Sequence, residues 1–206
     1  MGLTMIKTFQ NDYDSIKEAI FSTMIHKIDN DPSFHKYHNS YLHFIDFFHK
    51  KSVIKFNDFV IGAHFSYGWM PTILDFDARN DIDESKVVAL INKAKMAEKF
   101  DDLSKNEYEY LKSIINNSYI GLSKLLHFIN PSVYGIWDSR VHRFLMEATS
   151  DKRKTIQPNY YGLFESYQLL LAHLINHIDL SNFLTDHKLT AIRKLELLMF
   201  VNGKKK

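Results

Sequence analysis

Twice in the middle of the chain a short polar side chain stands three residues ahead of a glutamate and just before apolar residues at helical spacing. These are Asp81-Ile-Asp-Glu84, ahead of Val87 to Ala97, and Ser104-Lys-Asn-Glu107, ahead of Tyr110 to Ile115. Such capping boxes satisfy two orphan backbone N–H groups reciprocally, so each marks a helix start. The same periodicity predicts a first helix from about Asp12 to Ile28, on Ile16, Ala19, Ile20, Met24 and Ile25, stopped by Asn30-Asp31-Pro32. A second is expected around Tyr41 to Lys50, and an apolar segment from Phe56 to Phe65 leads into the aromatic turn Ser66 to Thr72. Proline in a first turn predicts that Met70-Pro71-Thr72 opens a further helix. Later helices are expected over about Tyr160 to Ile178 and Lys188 to Phe200. With only 7 Gly and 4 Pro there is little hairpin chemistry, and the predicted fold class is all-α. A 206-residue chain that is 45% hydrophobic can bury one sizeable core. The expectation is a single compact unit over residues 1–206, a two-lobed helical bundle with lobes of about 1–78 and 79–206 sharing a cleft.

Several function classes are excluded at once. The chain has no cysteine, so disulfides, thiolate metal sites and an iron–sulfur cluster on ordinary ligation are ruled out. No G-x-G-x-x-G or G-x-x-x-x-G-K-[ST] is present, so no nucleotide cofactor is expected, and no cofactor of any other kind. Met1 to Gln10 carries no signal-peptide core, and no apolar run approaches the roughly 20 residues of a membrane span, so the expected location is cytoplasmic, away from membranes. His43-Phe-Ile-Asp46-Phe-Phe-His49 and His173-Leu-Ile-Asn-His177 have ligand-like helical spacing. Neither has a third partner, so amphipathic packing is the preferred reading and no metal is expected.

Charge is unevenly distributed. Residues 1–120 hold 14 Lys/Arg against 17 Asp/Glu, and residues 121–206 hold 12 against 7, giving −3 in front and +5 behind. The basic part includes Arg140, Arg143, Lys152, Arg153, Lys154, Arg193, Lys194 and Lys204 to Lys206. Clustered cations suit a phosphate backbone, although solvated helix faces account for the same counts.

The stretch from Gly121 to Leu145 looks built for chemistry. Gly121 can adopt a positive φ, and Ser123 and Lys124 then enter a helix whose apolar members are Leu125, Leu126, Phe128 and Ile129. Asn130-Pro131 ends it. Asp138 stands at the N-cap of the next helix, which carries Val141, Phe144 and Leu145 on its apolar face. A carboxylate is thereby held at the positive end of a helix. His127, between Leu126 and Phe128, reads either as an orienting group or as a satisfied core histidine.

The glycine hairpin Tyr119-Ile120-Gly121-Leu122, the lysine that follows, the apolar run, and then Ile136-x-Asp138-x-Arg140-Val141-x-Arg143 resemble the helix-hairpin-helix DNA glycosylase superfamily. The likeness is to bacterial proteins of the 8-oxoguanine DNA glycosylase fold in particular, and it covers about Asn116 to Leu145. It implies that the Gly121 hairpin grips a DNA phosphate, that Lys124 is the Schiff-base nucleophile, and that Asp138 caps its helix and assists attack on the sugar. The implied function is DNA glycosylase-like: excision of a modified or damaged base, with β-lyase activity where Lys124 forms the covalent bond.

The residues carry compatible chemistry. Breaking an N-glycosidic bond builds positive charge on the sugar, which a fixed carboxylate stabilises. An amine nucleophile has to be neutral, and hence desolvated. Lys124 is otherwise a phosphate contact or an ordinary solvated lysine, and Asp138 otherwise a plain cap. Gly121, Ser123, Arg140, Arg143, Lys152 and Arg153 are the expected DNA contacts, with Arg140 alternatively pairing with Asp138 or Glu147. A base drawn out of a duplex needs stacking surfaces. Tyr67, Trp69, Tyr134 and Trp137 are the candidates, or else they anchor the core. Two further readings stay open: a catalytically inactive DNA-binding or defence-associated protein of the same fold, and a helical interaction module without nucleic acid.

Overall fold

The computed structural model describes residues 9–24, 32–70, 72–75, 82–149, 158–181, 183 and 188–203. Among these residues every regular element is helical. In chain order the helices are α1 (Tyr13–Met24), α2 (Pro32–His49), α3 (Phe56–Gly68), α4 (Glu84–Met96), α5 (Lys105–Ile114), α6 (Tyr119–Ile129), α7 (Ser139–Ala148), α8 (Tyr161–Leu174) and α9 (Ala191–Asn202). Short 3₁₀ turns precede α1 and α5. No described helix is long and apolar enough to cross a membrane.

Caps set the helix starts. Ser104 and Glu107 form the expected box: the Ser104 hydroxyl accepts from Glu107 N, and Glu107 Oε2 accepts from Ser104 N at 2.6 Å. At α4 the cap is Asp83, whose side chain accepts from Lys86 N at 2.9 Å, and Asp81 lies outside the described residues. Aspartates at alternate positions compete for one role there, and the one whose carboxylate reaches the third helical N–H takes it. The expected helix at Met70 to Thr72 is not formed over the described residues. Trp69 closes α3, residues 72–75 run without helical structure, and Pro71 lies outside the description.

The connection before α6 also departs from expectation. Among the described residues the positive-φ residues are Asn116 (φ 47°) and Asn117 (φ 51°), and no described glycine has a positive φ. Ser118 caps α6 by accepting from Gly121 N at 3.1 Å, so Gly121 sits inside the first helical turn. Asparagine tolerates the left-handed region, and the two asparagines plus a serine cap complete the turn without glycine. What Gly121 supplies is space, since a methyl group there would lie 2.7 Å from the Tyr67 hydroxyl.

Helix α6 is the central member. It packs against α2, α3, α4 and α5, and all its residues but one are buried. A second group forms where α9 packs on α7, α1 and α8, with α2 touching α9 as well. Helix α1 thus packs with the C-terminal helices α7 and α9. Asn130 ties α4 to α6, its Nδ2 donating toward the carbonyls of Ala94, Lys95 and Ala97. One continuous apolar core runs through both groups.

Candidate active site: a buried lysine–carboxylate cavity

The segment 134–138 between α6 and α7 is held from three sides. Gln168 of α8 clasps Gly135, accepting from its N–H at 2.8 Å and donating to its carbonyl at 2.9 Å. Tyr167 donates to Ile136 O at 3.0 Å, and Ser123 Oγ accepts from Trp137 N at 2.9 Å. His127 lies beneath. Its Nδ1 donates to Tyr134 O, which leaves Nε2 to accept from the Tyr41 hydroxyl at 2.9 Å. Burial pushes this histidine down to about 3, so the ring is neutral and serves as a core bracket.

That scaffold fixes Asp138. Its Oδ1 accepts from Arg140 N at 2.8 Å and caps α7, and its Oδ2 lies 3.3 Å from Lys124 Nζ. The carboxylate therefore caps and pairs at the same time. Lys124, one turn into α6, is only 5% exposed. Desolvation holds its ammonium below the usual lysine range, against the opposing pull of Asp138. The amine sits where a solvated first-turn lysine does not, and where it cannot serve as a surface phosphate contact.

The pair faces a cavity of about 50 Å³, room for a few waters. Trp69, Ile136, Leu197 and Phe200 form its apolar walls, and Arg193 and Glu196 of α9 complete it. The Arg193 guanidinium and the Glu196 carboxyl are in buried contact one helical turn apart. The Arg193 guanidinium also stacks over Tyr41 at 4.6 Å and lies 5.7 Å from the centre of the Trp69 ring. Burial pushes Glu196 up to about 7 even with Arg193 beside it. The cavity thus gathers two carboxyl groups, an amine and a guanidinium in one place.

No family model matches this chain, and neither does any curated protein or solved structure. The chemistry of the site therefore rests on its own geometry.

The remaining expected site residues are dispersed. Of the four aromatics only Trp69 lines the cavity. Tyr67 donates its hydroxyl to Ile115 O, Trp137 donates Nε1 to Pro158 O, and Tyr134 is fully buried. All three side chains are buried in the core. Ser123 and Gly121 are interior as well. Arg140 lies over the Phe200 ring at 4.6 Å, and Arg143 donates to Gly203 O, so both side chains contact α9 or its C-cap. Lys152 and Arg153 lie outside the described residues. Among the described residues no group of three His, Asp or Glu is placed to hold a metal ion, and the His173 and His177 rings stack on each other at 4.0 Å.

Arg193 and Glu196 are the site residues that sequence reasoning missed as a pair. Their signal is faint: two opposite charges one turn apart, in a helix that is otherwise apolar from Leu195 to Val201. Lys194, next to Arg193, makes the same stretch read as a solvated basic face.

Proposed function

We propose that the protein removes a modified base from DNA, with Lys124 as the attacking amine and Asp138 as the carboxylate facing the sugar. The observation that carries this reading is a nine-tenths-buried lysine, 3.3 Å from a carboxylate fixed at a helix N-terminus, on the wall of a cavity. A neutral amine can attack C1′ of the sugar, the glycosidic bond breaks with its electron pair leaving on the base, and Asp138 offsets the positive charge that develops. Trp69, on the wall of the same cavity, is then the aromatic beside an extruded base, whose entry requires this space of about 50 Å³ to widen. The resemblance of Asn116 to Leu145 to the helix-hairpin-helix glycosylases supports the same roles. In this reading α5, the asparagine turn and α6 make the hairpin that holds the duplex, the cleft lies between two lobes, and the enzyme works in the cytoplasm. The hydrogen bond from Arg140 N to Asp138 favours a second reading, a DNA-binding protein of the same build in which Asp138 only caps.

The test is incubation of wild type, Asp138→Asn and Lys124→Ala with duplexes carrying oxidised, alkylated, deaminated or hypermodified bases. Alkali-labile sites that vanish in Asp138→Asn, with borohydride trapping that vanishes in Lys124→Ala, are the expected outcome. Binding without release by any variant favours the second reading. Absence of binding at low salt defeats both.

A further inference from the structure

Glu196 is the cavity group that the lysine–aspartate pair leaves unused. It projects from α9 into the same space as Lys124 and Asp138 and is 1% exposed. Its partner Arg193 is itself 4% exposed, and the Arg193 Nε has no hydrogen-bond partner among the described residues. A carboxyl that is both buried and cavity-facing is expensive to keep unless it takes part in something.

The chemistry of the leaving base supplies that part. Breaking the bond to an uncharged base puts an electron pair on its ring, and the departing anion has to be protonated. An alkylated base that already carries positive charge leaves as a neutral molecule and needs no proton. We infer that Glu196 is the proton donor to the departing base, and that the substrate is accordingly an uncharged modified base and not a cationic alkylated one. This rests on the base-excision reading and adds the substrate class to it.

The groups facing Glu196 come from every element around it. Arg193 on its own helix and Lys124 on α6 favour the carboxylate, while Asp138 at the start of α7 disfavours it. Tyr167 on α8 and Tyr41 on α2 feel its charge too. Burial outweighs the cations and keeps the proton on Glu196 to about pH 7. The step balances. The Lys124 lone pair bonds to C1′, the C1′–base bond breaks with its pair going to the base, and the Glu196 proton follows that pair. The carboxylate left beside Arg193 then accepts the proton shed by the new ammonium, which restores the acid.

The experiment compares wild type and Glu196→Gln, across pH, on the uncharged lesion that wild type releases fastest and on a duplex carrying 7-methylguanine. Glu196→Gln is expected to slow release of the uncharged base by about 100-fold or more. Any loss on 7-methylguanine should be about tenfold smaller or less again. The ratio of uncharged-base to 7-methylguanine release by wild type should fall above about pH 7, because the need for a neutral Lys124 is common to both substrates, and in the variant this ratio should not change with pH. Equal rates and profiles in the two proteins overturn the proton-donor role and leave base excision standing. Preferential release of 7-methylguanine by wild type also overturns it. If Glu196→Gln does not fold, the same ratio in wild type decides, and one that does not change with pH overturns the role. A wild type that releases no base from any duplex overturns the base-excision reading and this inference together.

Discussion

A methyl group on Gly203 would lie 2.0 Å from the Arg140 carbonyl oxygen, so the end of α9 rests directly on the first turn of α7. This approach brings Arg193 and Glu196 of α9 against Asp138, and it needs a residue with no side chain at that point. The contact is to backbone, which cannot swing aside. Gly203→Ala is therefore expected to destabilise by about 2 kcal/mol or more and to weaken base release. Gly68→Ala, at a site where nothing lies within 4 Å, is expected to be neutral or to stabilise by up to about 1 kcal/mol. Urea midpoints of the two variants check this, and equal effects would remove the role given to Gly203.

Holding Lys124 against Asp138 away from water costs the fold stability. Asparagine caps a helix as well as aspartate does, and methionine fills the lysine's volume. The double variant Lys124→Met/Asp138→Asn is therefore expected to be as stable as wild type, or more stable by up to about 4 kcal/mol, with trapping abolished. Thermal unfolding measures it, and a loss of several degrees would show that the pair is structural.

Two buried groups give stability opposite slopes with pH. His127 is pushed from 6.5 down to about 3, so the folded state binds fewer protons between those values and stability falls as pH drops through them. Glu196 is pushed from 4.5 up to about 7, so the folded state binds more protons there and stability falls as pH rises through that window. Between 4.5 and 6.5 the two oppose. Glu196→Gln should therefore uncover a rise of stability with pH over that range and remove the decline from 6.5 to about 7. Unfolding midpoints measured across pH test this, and identical curves for the two proteins would contradict it.

Gln168 makes two hydrogen bonds to the backbone of Gly135, and replacing it with leucine strands a buried N–H and a buried C=O. Gln168→Leu is expected to cost about 2–4 kcal/mol. Because the freed segment carries Asp138, turnover should fall by more than binding of a duplex does. Equal losses in both would point to general unfolding instead.

Much of the helical content is legible in the sequence because it depends on short-range rules. Ser104 to Glu107 and Asp138 cap helices where their spacing says they should, and a chain poor in glycine and proline offers few alternatives. Glycine misleads where its conformational freedom is mistaken for its use. At Gly121 and Gly135 the absent side chain serves packing against Tyr67 and Leu171, which no local pattern reveals.

By itself the sequence determined the all-helical class and placed Lys124 early in one helix and Asp138 at the cap of the next. Both follow from hydrogen bonds satisfied within a few residues. Only the tertiary structure decided that Lys124 is desolvated against Asp138, and that Arg193 and Glu196, more than fifty residues further along, close the same cavity. Burial and pairing of charge depend on which helices meet, and α7 meets α9 through a backbone contact at Gly203 that has no periodicity to announce it.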